Sequence, residues 1–129
     1  MNQIWHIELF GGLRARQKDG ETRRFQTSKT GALLACLAYH PRQSFGRDQL
    51  SELLWPDADM DSGRHSLRQS LLSLRNILEP PGIPAGSILL TTRTHVQLNF
   101  ENILTDVLVF AAIVKQAKAA ADSAERSTR

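Results

Sequence analysis

Much that would point to catalysis, secretion or a membrane is missing from these 129 residues. There is a single cysteine, Cys36, so no internal disulfide can form and a reducing compartment suits the chain. No apolar run approaches the ~20 residues needed to cross a bilayer. No secretory leader is visible, because Met1 leads straight into the strand-like alternation IWHIELF. A cytoplasmic protein with no membrane partner is therefore expected. His6, His40, His65 and His95 lack metal-ligand spacing, and there is no GxSxG elbow, no P-loop and no carboxylate pair beside a histidine. No metal, no cofactor and no enzymatic activity are expected. Internal repeats and low-complexity tracts are also lacking, although the end, AKAAADSAERSTR, thins into polar residues. So is a strong excess of one charge: residues 1–104 hold 12 basic and 10 acidic side chains, residues 105–129 hold 4 and 3, and the formal net charge is +3. Any affinity for a polyanion has to come from where the cations sit.

What is present is enough apolar residue, 41%, for a real core. Strand-like segments at 4–10, 13–18 and 22–25, with the Gly11-Gly12 break and the Asp19-Gly20 turn, predict a small antiparallel sheet. Ser28 is placed to cap a helix over 28–40 on Ala32, Leu33, Cys36, Leu37 and Tyr39, which Pro41 stops. Gly46 opens a second helix over 47–55, with Leu50, Leu53, Leu54 and Trp55 as its buried side and Pro56 beyond it. A third helix is expected over 61–78, capped by Asp59 or Asp61 and stopped by Pro80-Pro81-Gly82. Strands at 88–92 and 95–100 flank a turn at Arg93-Thr94, with Val96, Leu98 and Phe100 on one face. A last helix runs from the Thr105 cap to about residue 121. Helix, helix, long helix, hairpin is the winged-helix order. The predicted fold is α+β: a winged helix-turn-helix with an N-terminal antiparallel sheet, a three-helix core and a C-terminal β-hairpin wing.

The third helix is the informative element. Leu67, Leu71, Leu74 and Leu78 form one narrow apolar stripe. The opposite face carries His65, Gln69, Leu72 and Asn76, flanked by Ser66, Arg68 and Ser73, and no carboxylate. A merely solvated face usually mixes in Asp and Glu for i,i+4 pairs. A face that meets a polyanion excludes them, so this helix suits a DNA groove.

The segment LLACLAYHPRQSFGRDQLSELLWPDADMDSGRHSLRQSLLSLRNIL, residues 33–78, resembles the DNA-binding domain of SARP-type bacterial transcriptional activators, of the OmpR/PhoB winged-helix class. The likeness runs over about 4–100 and includes FGGLRA, with LLWPDAD at 53–59 its most specific part. It implies that the third helix enters the major groove of double-stranded DNA and that the hairpin reaches a minor groove. It also implies that loop 56–61, with Asp57, Asp59 and Asp61, faces RNA polymerase, and that a homodimer forms on repeated sites. In this family a helical, tetratricopeptide-like activation domain follows, and TDVLVF at 105–110 resembles its opening helix. Residues 1–104 are thus expected to be the winged-helix domain, and 105–129 the linker and first helix of an activation domain whose remainder lies outside this sequence. Gly46 departs from the Ser or Thr usual at that helix start, and Leu72 and Ser73 stand where related helices often carry Arg.

With that likeness, His65, Gln69, Leu72, Ser73 and Asn76 are base-reading candidates. Gln and Asn bond adenine bidentately, Ser and His meet several edges, and Leu meets a thymine methyl. Lys29, Arg47, Arg64, Arg68, Arg75 and Arg93 are DNA-backbone candidates. Arg75 sits near the core side, where an ion pair is an equal alternative. Asp57, Asp59 and Asp61 fail as a calcium loop, since Ser62 and Arg68 stand where that motif needs Gly and Glu. Cys36, Trp5 and Trp55 read as packing residues. The competing function is a winged-helix module that binds protein and no DNA, which the modest charge allows.

Overall fold

The computed structural model describes residues 5–10, 12–17, 22–24, 29–40 and 42–127. The Asp19-Gly20 turn, the Ser28 cap and the Pro41 stop lie outside the described residues. In chain order the elements are β1 (Trp5–Glu8), β2 (Arg14–Gln17), β3 (Thr22–Arg24), α1 (Lys29–Tyr39), β4 (Phe45–Gly46) and α2 (Arg47–Leu54). Then follow α3 (Met60–Leu78), β5 (Leu89–Thr91), β6 (His95–Leu98), β7 (Ile103–Thr105) and α4 (Asp106–Ser127).

The N-terminal sheet runs β3-β2-β1-β7. β1 pairs antiparallel with β2, setting Ile7 opposite Ala15, and parallel with β7, setting Trp5 opposite Ile103. This fourth, parallel strand was not expected from the sequence. Alternation places Trp5, Ile7, Ala15, Ile103 and Thr105 on the buried face. The wing is a second sheet, β4-β6-β5, whose Leu89, Val96 and Leu98 point into the core.

Between the sheets lie the three helices. The stripe of α3 is buried as its spacing requires: Leu67, Leu71, Leu74 and Leu78 pack with Leu33, Leu34 and Leu37 of α1 and Leu50 and Leu54 of α2. Each such side chain contributes roughly 1.5–3 kcal/mol of hydrophobic burial. The 19-residue α3 is unbroken. Asp59 is its N-cap, the carboxylate accepting from the Ser62 amide at 2.8 Å. At its far end the buried Trp5 indole donates to the Leu78 carbonyl at 2.8 Å, which satisfies one of the acceptors a helix terminus leaves over.

Leu53 departs from expectation: it is 61% exposed. The buried arc of α2 is Leu50, Ser51 and Leu54. Ser51 packs so closely on Gly63 of α3 that a Cβ there would strike its Oγ, and this turns Leu53 outward. Tyr39 is likewise exposed, at the end of α1.

Thr105 caps α4 as predicted, accepting from the Leu108 amide at 3.1 Å. Asp106 anchors the same end, one carboxylate oxygen accepting from the Leu9 and Phe10 amides at 2.8 Å each. Phe110 meets the Phe10 ring edge-on at 6.0 Å. Residues 109–121 are exposed, Ile113 and Val114 among them. The helix runs beyond the predicted end near 121.

Candidate nucleic-acid interface

The stripe that fixes the buried side of α3 also fixes its outer side. His65, Gln69, Leu72, Ser73 and Asn76 are all exposed, as their positions on the wheel require. Arg64, Arg68 and Arg75 share one flank, toward the start of α2 and the wing. Between these three elements opens a cleft of about 400 Å³ lined by Gly46, Arg47, Asp48, Gln49, Arg64, Leu67, Arg68, Arg93 and Thr94. Four arginines thus converge on one concavity in a chain of small net charge.

Most of the predicted backbone-contacting cations are already engaged. Arg64 forms a fork on Asp48, Nε and Nη2 donating at 3.0 and 3.2 Å. The Arg64 hydrogen bond and charge hold the Asp48 carboxyl below the usual carboxylate range. Arg47 Nε donates to the Thr92 carbonyl at 2.9 Å, and its amide to the Thr94 carbonyl at 2.8 Å, which ties α2 to the wing turn. Lys29 Nζ donates to the Leu54 carbonyl at 2.6 Å and lies 6.0 Å from the Trp55 ring centre, at the C-terminal end of α2. Arg75 donates to Glu79 at 2.6 Å and to Thr91 Oγ1 at 3.0 Å. Among the described residues, Arg68 and Arg93 alone of the six candidates carry no hydrogen bond or ion pair. Arg93 tips a turn closed by the Thr92 amide on the His95 carbonyl at 2.9 Å.

Two residues that sequence reasoning passed over shape this surface. Asp48 withdraws Arg64, and Glu79 withdraws Arg75 while also binding the approach to β5. Asp48 carries no local signal, being 16 positions from Arg64. Glu79 stands at i+4 from Arg75, but its hold on the Gly86, Ile88 and Leu89 amides is not visible in the sequence.

On the other side of α2, Asp57 and Asp61 are exposed and Asp59 serves α3 as its cap. A shallow groove of about 300 Å³ beside them is lined by Glu52, Trp55, Pro56 and Met60 among others, with Leu53 and Met60 exposed. Trp5 is core and Trp55 half-buried. Cys36 is partly buried, and burial pushes its thiol pKa up, away from nucleophilic use. Among the described residues no group of His, Cys, Asp or Glu is placed to hold a metal ion. No helix of the described residues is long and apolar enough to cross a membrane.

Comparison with curated proteins gives no match. Among solved structures, Mycobacterium tuberculosis EmbR in complex with a low affinity phosphopeptide is similar at a TM-score of 0.64 and 24% identity. The match covers 79% of this chain and 27% of that one, and at this identity it speaks for the fold. The family model described as "Transcriptional regulatory protein, C terminal" matches residues 22–95, more than half of the chain, from β3 through the three helices to the wing turn. The chain therefore belongs to this family and is a winged-helix DNA-binding domain of a transcriptional regulator.

Proposed function

We propose that the chain binds double-stranded DNA sequence-specifically, with α3 in the major groove and the β5–β6 turn over an adjacent minor groove. The observation that carries this is the pairing of an exposed, carboxylate-free crest on α3 with two unpaired arginines, Arg68 and Arg93, at the cleft beside it. His65, Gln69, Leu72, Ser73 and Asn76 face base edges. Arg68 meets a phosphate, Arg93 reaches into the minor groove from the wing turn, and Arg47 stands at the start of α2, where amides and helix dipole favour an anion. Arg64 reaches the backbone only by leaving Asp48. Lys29 and Arg75 position structure instead.

The SARP-type likeness extends this reading to a bacterial activator acting in the cytoplasm. Loop 56–61, with Asp57, Asp59 and Asp61 and the exposed Met60, then faces RNA polymerase. Residues 105–129 lead into a helical activation domain, and two copies occupy repeated sites.

Duplex binding measured across salt concentrations tests the core of the proposal. Each phosphate contact contributes about −0.9 to the slope of log K against log salt. Arg68→Ala and Arg93→Ala should each flatten that slope by roughly one. Absence of salt-dependent duplex binding would leave the protein-binding module as the better reading.

A further inference from the structure

We propose that the base pairs read by α3 are A·T pairs, a specificity that rests on the DNA-binding reading above. The commonest specific major-groove contact is Arg or Lys on guanine. α3 has three arginines and no lysine, and all three stand off the crest. Arg64 is forked on Asp48. Both terminal nitrogens of Arg75 are taken, by Glu79 and Thr91. Arg68 lies in the cleft with Arg47 and Arg93, which on the reading above assigns it to the sugar-phosphate strand.

The crest itself holds groups that match adenine and thymine. Gln69 and Asn76 each present an amide whose donor and acceptor fit the adenine N7 and N6 edge. They lie seven residues apart on one helix, about 10 Å along its axis, far enough apart to meet different base pairs. Between them Leu72 is an apolar side chain 54% exposed. An exposed leucine between two amides has one apolar counterpart in the major groove, the thymine methyl.

A second element favours the same composition. Arg93, unpaired at the wing turn, is placed for a minor groove, and A·T tracts have the narrow, strongly negative minor groove that draws arginine. Crest and wing together select A·T pairs under α3 and a further A·T stretch under the wing.

The test is selection of duplexes from a random pool by the 129-residue chain, followed by competition on the enriched site. The expected motif has A·T at the positions that Gln69→Ala and Asn76→Ala relax, each by roughly 5- to 150-fold. Replacing thymine by uracil between those positions should weaken binding by the parent chain several-fold and leave Leu72→Ala unaffected. Enriched G·C at those positions, lost in Arg68→Ala, would overturn the assignment, and so would duplex binding with no enriched motif. Both leave DNA binding itself intact. Failure to retain any duplex at low salt would instead refute the DNA-binding reading on which the assignment rests.

Discussion

Glu79 offers the sharpest test of how α3 is held. Its side chain is 1% exposed. Its carboxylate accepts from Arg75 at 2.6 Å and from the amides of Gly86, Ile88 and Leu89 at 2.9, 3.0 and 2.9 Å. Glu79→Ala removes the only acceptor these amides have in common and leaves Arg75 without its counter-charge. Each orphaned donor costs about 1–3 kcal/mol, and breaking a buried pair costs about 3–5 kcal/mol in all once water and relaxation are counted. For a chain of this size that is a fall of roughly 10–20 °C in Tm. Arg75→Ala should cost less, about 1–2 kcal/mol, because the carboxylate keeps its backbone donors. The double variant should resemble Glu79→Ala alone, with a coupling of about 1 kcal/mol or more. Urea denaturation of the four proteins at pH 7, followed by far-UV circular dichroism, measures all three quantities. Additive losses, or a Glu79→Ala chain within about 1 kcal/mol of the parent, would refute the reasoning.

Acid should expose the same site. Burial pushes the Glu79 carboxyl up, but the hydrogen bonds from Leu89, Gly86, Ile88 and Arg75 outweigh it and hold the carboxyl below its usual range. Its contribution is therefore complete above the unfolded value of about 4.3 and is lost as pH falls through the lower folded value; stability of the parent should drop below about pH 4.5, and Glu79→Ala should show a shallower drop. Asp48→Ala breaks a solvent-exposed pair of little weight for stability and frees Arg64 for a phosphate, so duplex affinity should rise and the salt slope steepen by about one; weaker binding in a titration would contradict this. Arg75→Ala, in contrast, should leave the salt slope unchanged. Gly63→Ala sets the helix gain of about 1 kcal/mol against the Ser51 clash. In a Ser51→Ala background the same change should stabilise by about 1 kcal/mol, and a loss in both backgrounds on thermal melting would mean that the α2–α3 approach is limited by something other than the serine.

What the sequence disclosed was the local part. The leucine stripe places α3 within a residue of its observed start, Asp59 is its cap, Thr105 caps α4, and the turn around Arg93 forms the wing. Short and distant pairings were hidden. β7 is three residues, Ile-Leu-Thr, whose second buried position is the polar Thr105, so no apolar alternation shows in the sequence, and its partner is the distant β1. Leu53 looks apolar-inward until the close Ser51–Gly63 contact fixes the roll of α2. For the candidate site, periodicity correctly sorted the exposed side of α3 from the buried one, which is a statement about solvent and not about DNA. It left Arg75 open between phosphate and ion pair, which its i,i+4 partner Glu79 settles, and it could not show that Arg64 was engaged, because Asp48 is brought to it by tertiary geometry.

The parallel pairing of β1 with β7, clasped by Asp106 on the Leu9 and Phe10 amides, has a consequence for synthesis. Leu9 and Asp106 are 97 positions apart, so at about 5–20 residues per second the ribosome delivers the clasp roughly 5–20 s after the strand it secures. During that interval the helices and the wing are already made, while one edge of β1 has no neighbour. Open edges invite pairing with other chains, and shortness is a common protection. At four residues β1 offers little to a stray partner. Completion of this sheet thus waits on residues 103–106, and a nascent chain stalled before Ile103 would hold a formed α3 beside an unfinished sheet.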